Sequence, residues 1–123
     1  MASPFSGTLP HLAAALFKMT IGGDMPHVTY PGDVPALNDL IAGQVKFYFS
    51  NGAASIGHVQ GGAIKAIAHT GRGRLGTLPD LPAVAETLPG FEAYEWNGVF
   101  VPAGTAPEIV RKLNAGLNAV LRE

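Results

Sequence analysis

With 123 residues, the chain is long enough for one compact domain with a core and too short for two ordinary ones. A net charge of −1, with Lys and Arg scattered, excludes the basic stripe that nucleic-acid binding needs, and the lack of cysteine excludes disulfides, thiolate metal sites and thiol nucleophiles. Charged residues make up only 14% of the chain, against roughly 25% in an average soluble domain, so part of the surface is expected to lie under a partner, another lobe or a ligand.

The start, Met1-Ala2-Ser3-Pro4-Phe5, has neither a basic nor an apolar region of the kind a signal peptide carries, and the best apolar stretch, Leu12 to Ile21, is interrupted by Lys18. Leu9, Leu12, Leu16 and Met19 recur at helical spacing, with Thr8 as N-cap and Gly22-Gly23 as the stop. A strand is predicted over Met25 to Tyr30. Pro31-Gly32 breaks it, and Asp33, as N-cap, opens a second helix on Val34, Leu37, Leu40 and Ile41 that Gly43 ends in a left-handed conformation. Val45 to Phe49 is β-branched and aromatic and reads as a strand, followed by a helix from about 53 to 60 and a strand from Ala63 to His69.

The segment from Gly71 to Gly90 is rich in Gly and Pro and reads as irregular, with one helical turn near 82–87. A strand is predicted over Phe91 to Val101. Thr105-x-x-Glu108 has the form of a capping box, and Ile109, Leu113, Leu117, Val120 and Leu121 give the last helix an apolar stripe. Strands alternating with short helices define an α/β class with parallel pairing, and ligands are then expected on the loops beyond the strands' carboxyl ends, at 30–34, 50–54 and 70–78.

Gly71-Arg72-Gly73-Arg74-Leu75-Gly76 fits the dinucleotide pattern G-x-G-x-x-G, but Pro79 and Pro82 interrupt the helix that pattern requires, so the segment reads as a loop. His11, His27, His58 and His69 lack zinc-ligand spacing, no serine sits in G-x-S-x-G, and the carboxylates are dispersed. Neither a metal, a cofactor nor a catalytic set is therefore expected. His11 falls in the first turn of the first helix, as a structural residue or as part of a site. The helix starts at Gly7-Thr8 and Gly32-Asp33-Val34 can each aim free N–H groups and a positive dipole end at a carboxylate. Ordinary capping accounts for the same residues, and the pattern alone leaves both readings open.

Five motifs in order resemble the extracytoplasmic substrate-binding receptors of tripartite tricarboxylate transporters, the Bug-type family. Gly7-Thr8-Leu9-Pro10-His11-Leu12 is similar to G-[ST]-x-x-H-L. His27 to Gly32 followed by Pro35-Ala36-Leu37 resembles H-V-P-Y-x-G-x-x-P-A-L, and Asp39 to Val45 resembles D-L-x-x-G-x-V. Leu78 to Glu86 is similar to L-P-D-V-P-T-x-x-E, and Trp96-x-Gly98 with Pro102 to Thr105 resembles W-x-G followed by P-A-G-T-P. The resemblance runs from about Gly7 to Leu121.

It implies a periplasmic-binding-protein-like lobe with a mostly parallel sheet flanked by helices, incomplete relative to the two-lobe family fold. Residues 7–95 would form the ligand-binding lobe, and residues 96–123 a crossover strand and C-terminal helix returning toward a first lobe. The implied function is capture of a small carboxylate or amino acid in the periplasm for a membrane transporter, without chemistry. Thr8, His11, Gly32, Asp33, Val34 and Ala36 would hold its carboxylate, with Ser50 and Asn51 at its other end. Departures are Asp33, where the family often has Ser, Gly or Ala, the bulkier Val34, and His69 at a usually apolar position. Asp33 is expected to compete with a ligand carboxylate for the helix N–H groups, which favours a ligand with an ammonium group or a lobe that has lost binding. Uncovered apolar surface and strand edges would allow a homodimer. A stand-alone interaction or sensor domain on the same fold is the alternative.

Overall fold

The computed structural model describes residues 1–121. Its elements are β1 (Ala2–Pro4), α1 (Leu9–Ile21), β2 (Val28–Tyr30), α2 (Asp33–Ile41), α3 (Gly52–Gln60), a single 3-10 turn (Val84–Glu86) and α4 (Pro107–Val120). β1 and β2 pair in parallel, with Ala2 opposite Val28 and Pro4 opposite Tyr30, and α1 is the crossover between them. β1 was not legible as a strand, because three residues that include Ser3 and Pro4 carry no periodicity. Small side chains explain its central place. Ala2, Ser3, Ala13, Ala14 and Ala36 are buried with Leu37, so helix and strand backbones approach closely.

The predicted strand at Val45–Phe49 narrows to a bridge between Tyr48 and Ala2. Ala2 N–H donates to Phe47 O and Phe49 N–H to Ala2 O, both at 3.0 Å, so this segment still runs parallel to β1 on the side away from β2. Phe47 and Phe49 turn toward α1, where Phe17 meets them at ring-centroid distances of 6.0 and 5.6 Å and meets Phe91 at 6.3 Å. This aromatic cluster joins the Gly- and Pro-rich segment to the sheet.

Two further predicted strands are not formed as ladders among the described residues. Ala63–His69 keeps one bridge, His69 to Ala83, with His69 N–H donating to Pro82 O and Val84 N–H to His69 O. Phe91–Val101 is held only at its start, where Ala93 N–H donates to Thr70 O and Thr70 Oγ1 donates to Ala93 O. Strand propensity expresses itself only against a partner strand, and among the described residues neither run finds one beyond these few bonds.

The helix stops follow the glycines. Gly22 closes α1 at φ 66°, and Gly43, after the cap Ala42, sits at φ 74°. The starts differ in detail. Thr8 is the N-cap of α1, but its hydroxyl turns back to Pro4 O and Phe5 O. Gly32, not Asp33, caps α2, which makes Asp33 the first helical residue. The capping box at Thr105–Glu108 does not form, because Pro107, suited to the first helical position, makes Ala106 the cap. The α4 stripe is present but open, with Ile109, Leu113 and Leu117 all exposed, and Trp96 and Phe100 before it more exposed still. The last two residues of the predicted crossover-and-helix unit, 122–123, lie outside the described residues.

Candidate functional site

The parallel register puts the ends of β1 and β2 side by side, and the chain leaves each of them into a helix. Phe5 N–H donates to Tyr30 O at 2.8 Å, one step beyond the Pro4–Tyr30 pair, which ties the two connections together. The starts of α1 and α2 therefore open at the same end of the sheet, where a doubly wound arrangement places ligands. Gly32 has φ 149°, a conformation that disfavours any other residue, and a side chain there would meet the Phe5 ring at 3.7 Å. Gly7 at φ 83° and Phe5 at φ 24° make the other connection equally specialised.

A third group arrives from the Tyr48–Asn51 segment. Tyr48 donates its hydroxyl hydrogen to Asp33 Oδ1 at 2.5 Å, and Ser50 Oγ lies 3.5 Å from the same oxygen and 3.0 Å from Asn51 O. Burial, followed by this bond to Asp33, pushes the Tyr48 phenol well above its ordinary range, so it stays a neutral donor. Asn51 caps α3 by accepting from Ala53 N–H at 3.0 Å, and its amide donates to Glu95 Oε2 at 2.5 Å. Tyr30 donates to Asp39 at 2.6 Å, which raises its phenol as well and fixes the end of β2 on α2.

Of the residues named from sequence, Thr8, Gly32, Asp33, Ser50 and Asn51 sit on connections or helix ends around this sheet end. Val34 is 72% exposed and open to contact. Ala36 is fully buried against the sheet, so its side chain supports α2 and is not open to a ligand. His11 turns its Nδ1 to Gly7 N–H at 3.2 Å and stacks on His27, which makes it part of the α1 start. The expected competition of Asp33 for helix N–H groups is not seen among the described residues, because the carboxylate is turned to Tyr48 instead. Tyr48 and Glu95 were missed. The signal for Tyr48 was available: in an extended run, Val45, Phe47 and Phe49 share one face, which leaves Lys46, Tyr48 and Ser50 on the other.

The Gly71–Gly76 segment is a loop, as its prolines predict. It is pinned by Arg72 to Glu92 at 2.7 Å and Arg74 to Glu86 at 3.3 Å, and the carboxylate of Glu92 holds the Arg72 guanidinium above its usual value. A broad open groove of about 990 Å³ lies elsewhere, between Ile64–Ile67 and Leu78–Pro82. Its walls are mainly aliphatic, with Lys65 and Asp80 as the charged residues among them. Among the described residues no group of three His, Asp or Glu could hold a metal, and no helix is long and apolar enough to cross a membrane.

A short parallel sheet flanked by helices, with its connections gathered at one end, defines a lobe of the periplasmic-binding-protein kind. The chain matches the tripartite tricarboxylate transporter family receptor model, TctC, over residues 1–123, and it belongs to that family. It is 38% identical over 118 residues to the UPF0065 protein in the clcB-clcD intergenic region of Pseudomonas knackmussii, covering 94% of this chain and 70% of that protein. It is 37% identical over 122 residues to the UPF0065 protein in the tcbD-tcbE intergenic region of Pseudomonas sp. strain P51, covering 98% of this chain and 36% of that protein. Among solved structures, the periplasmic binding protein BugD superposes with a TM-score of 0.84 at 32% identity, over the whole of this chain and 42% of that one. The chain thus spans well under half of the BugD chain and of the strain P51 relative.

Proposed function

We propose that the chain acts as the ligand-holding part of a periplasmic solute-binding receptor, with residues 7–95 as the binding lobe and 96–123 as the crossover unit. It captures a small carboxylate or amino acid and presents it to the membrane subunits of a tripartite tricarboxylate-type transporter, without chemistry of its own. The observation that carries this reading is the adjacency of two helix starts, tied by the bond from Phe5 N–H to Tyr30 O. Apart from Gly7 N–H, which His11 takes, and Pro10 and Pro35, which carry none, the first-turn N–H groups have no intrahelical partner, and each start adds the positive end of a helix dipole, worth on the order of 1 kcal/mol apiece to an anion. Asp33 and Glu95 beside them suit the ammonium group of an amino acid better than a second carboxylate.

A thermal-shift series with dicarboxylates, tricarboxylates, aromatic acids and amino acids tests this. A dose-dependent rise in Tm with one class, about 2.7 kcal/mol at a hundredfold excess over Kd, is the expected result. Flat curves for every class count against the reading.

The exposed stripe of α4, with Trp96 and Phe100, favours a second reading in which the chain works through protein contact. In that case sedimentation finds a tight dimer through the open cleft or a strand edge, and no small acid alters its stability.

A further inference from the structure

We propose that His11 and His27 form a proton-sensitive latch on the Gly7–Thr8 start of α1. Their rings stack at a centroid distance of 4.9 Å and an interplanar angle of 24°. His11 belongs to the first turn of α1, and its Nδ1 accepts from Gly7 N–H at 3.2 Å, which requires that nitrogen to carry no proton. His27 stands immediately before β2, and its Nε2 lies 2.7 Å from Oγ of the wholly buried Ser3 in β1. The pair therefore links both strands to the backbone at the start of α1.

The positive charges around the pair oppose a second positive ring. Lys18 on α1 and the Met1 amino group ahead of β1 both act on His27, while Asp24, after α1, is drawn off by Lys18 at 3.6 Å. The Met1 amino group donates to Pro26 O, beside His27. Burial first, then His11, the Met1 amino group and Lys18, hold His27 below the ordinary histidine value. Two protonated imidazoles in stacking contact repel, and a proton on His11 Nδ1 removes the acceptor that Gly7 uses.

The sign follows from the depressed His27 value. The folded state favours the neutral ring, so its stabilising contribution is complete above the ordinary histidine value of about 6.5 and is lost as pH falls below it. Acid opens the latch, frees Gly7 N–H as a donor at the helix start, and leaves a positive ring beside it. Neither step needs a ligand, so the latch stands apart from the carboxylate reading.

The test is an NMR titration of the ligand-free chain from pH 8 to 5, following the histidine ring signals and the Gly7 amide. The Gly7 amide is expected to shift as the stacked histidine rings take up protons. In His11→Gln that coupled movement disappears, and the proton affinity of His27 rises at least about threefold because a like charge has gone. A Gly7 amide that stays still across the native titration overturns the latch, whether or not the variant folds. So does an unchanged His27 midpoint in a folded His11→Gln chain.

Discussion

Asp33→Ser is expected to strengthen dicarboxylate binding about tenfold and to weaken binding of amino acids that use their ammonium group. The carboxylate of Asp33 opens α2 and accepts from Tyr48, so its negative charge stays beside the helix start assigned to the ligand. At an effective dielectric near 20 and a separation of roughly 8 Å, two like charges cost about 2 kcal/mol, and salt screening brings this toward the 1.4 kcal/mol of a tenfold change. Serine keeps a short polar side chain in the first turn and leaves the Tyr48 hydroxyl free to donate to a ligand. Titration calorimetry on the folded variant checks both directions. Unchanged or weaker dicarboxylate binding would place the site elsewhere.

His69→Leu is expected to stabilise the chain by about 1–3 kcal/mol, the cost of burying polar groups that find no partner. His69 is 9% exposed, its backbone is engaged on both sides with the Pro82–Val84 segment, and both ring nitrogens are buried without a hydrogen-bond partner. Leucine fills a similar space without the desolvation cost, and it restores the apolar character that the family resemblance implies at this position. Urea unfolding should show a higher midpoint at an unchanged m-value. A lower midpoint would mean that the imidazole has a partner of its own in solution.

Residues that act through their own backbone were the most legible in the sequence. Thr8, Gly22 and Gly43 mark helix ends because capping chemistry and left-handed glycines are local properties, and all three stand at helix ends in the fold. Strands depend on partners, which local sequence does not contain. The apolar run at Ala63–His69 therefore read as a strand and retains one bridge, while Ala2–Pro4, too short to show any alternation, carries the centre of the sheet. The site was legible to the same extent. Gly7-Thr8 and Gly32-Asp33 could be named from capping and motif, but their meeting rests on the register of Pro4 against Tyr30. Ala36 matched the motif and proved to be core, since a small residue on the sheet-facing side of α2 serves close packing. The extended run places Tyr48 on the face of Lys46 and Ser50, but its partner Asp33 lies fifteen positions away, so the run alone does not show that contact.

The central claim, that an acid ligand rests on the paired starts of α1 and α2, is tested most directly by mapping amide shifts while the chain is titrated with the best ligand of the thermal-shift series. The largest changes are expected at Gly7, Thr8, Asp33 and Val34, with smaller ones at Ser50 and Asn51. Changes confined to the aliphatic groove at Ile64–Ile67 and Leu78–Pro82, with the two helix starts silent, would contradict it.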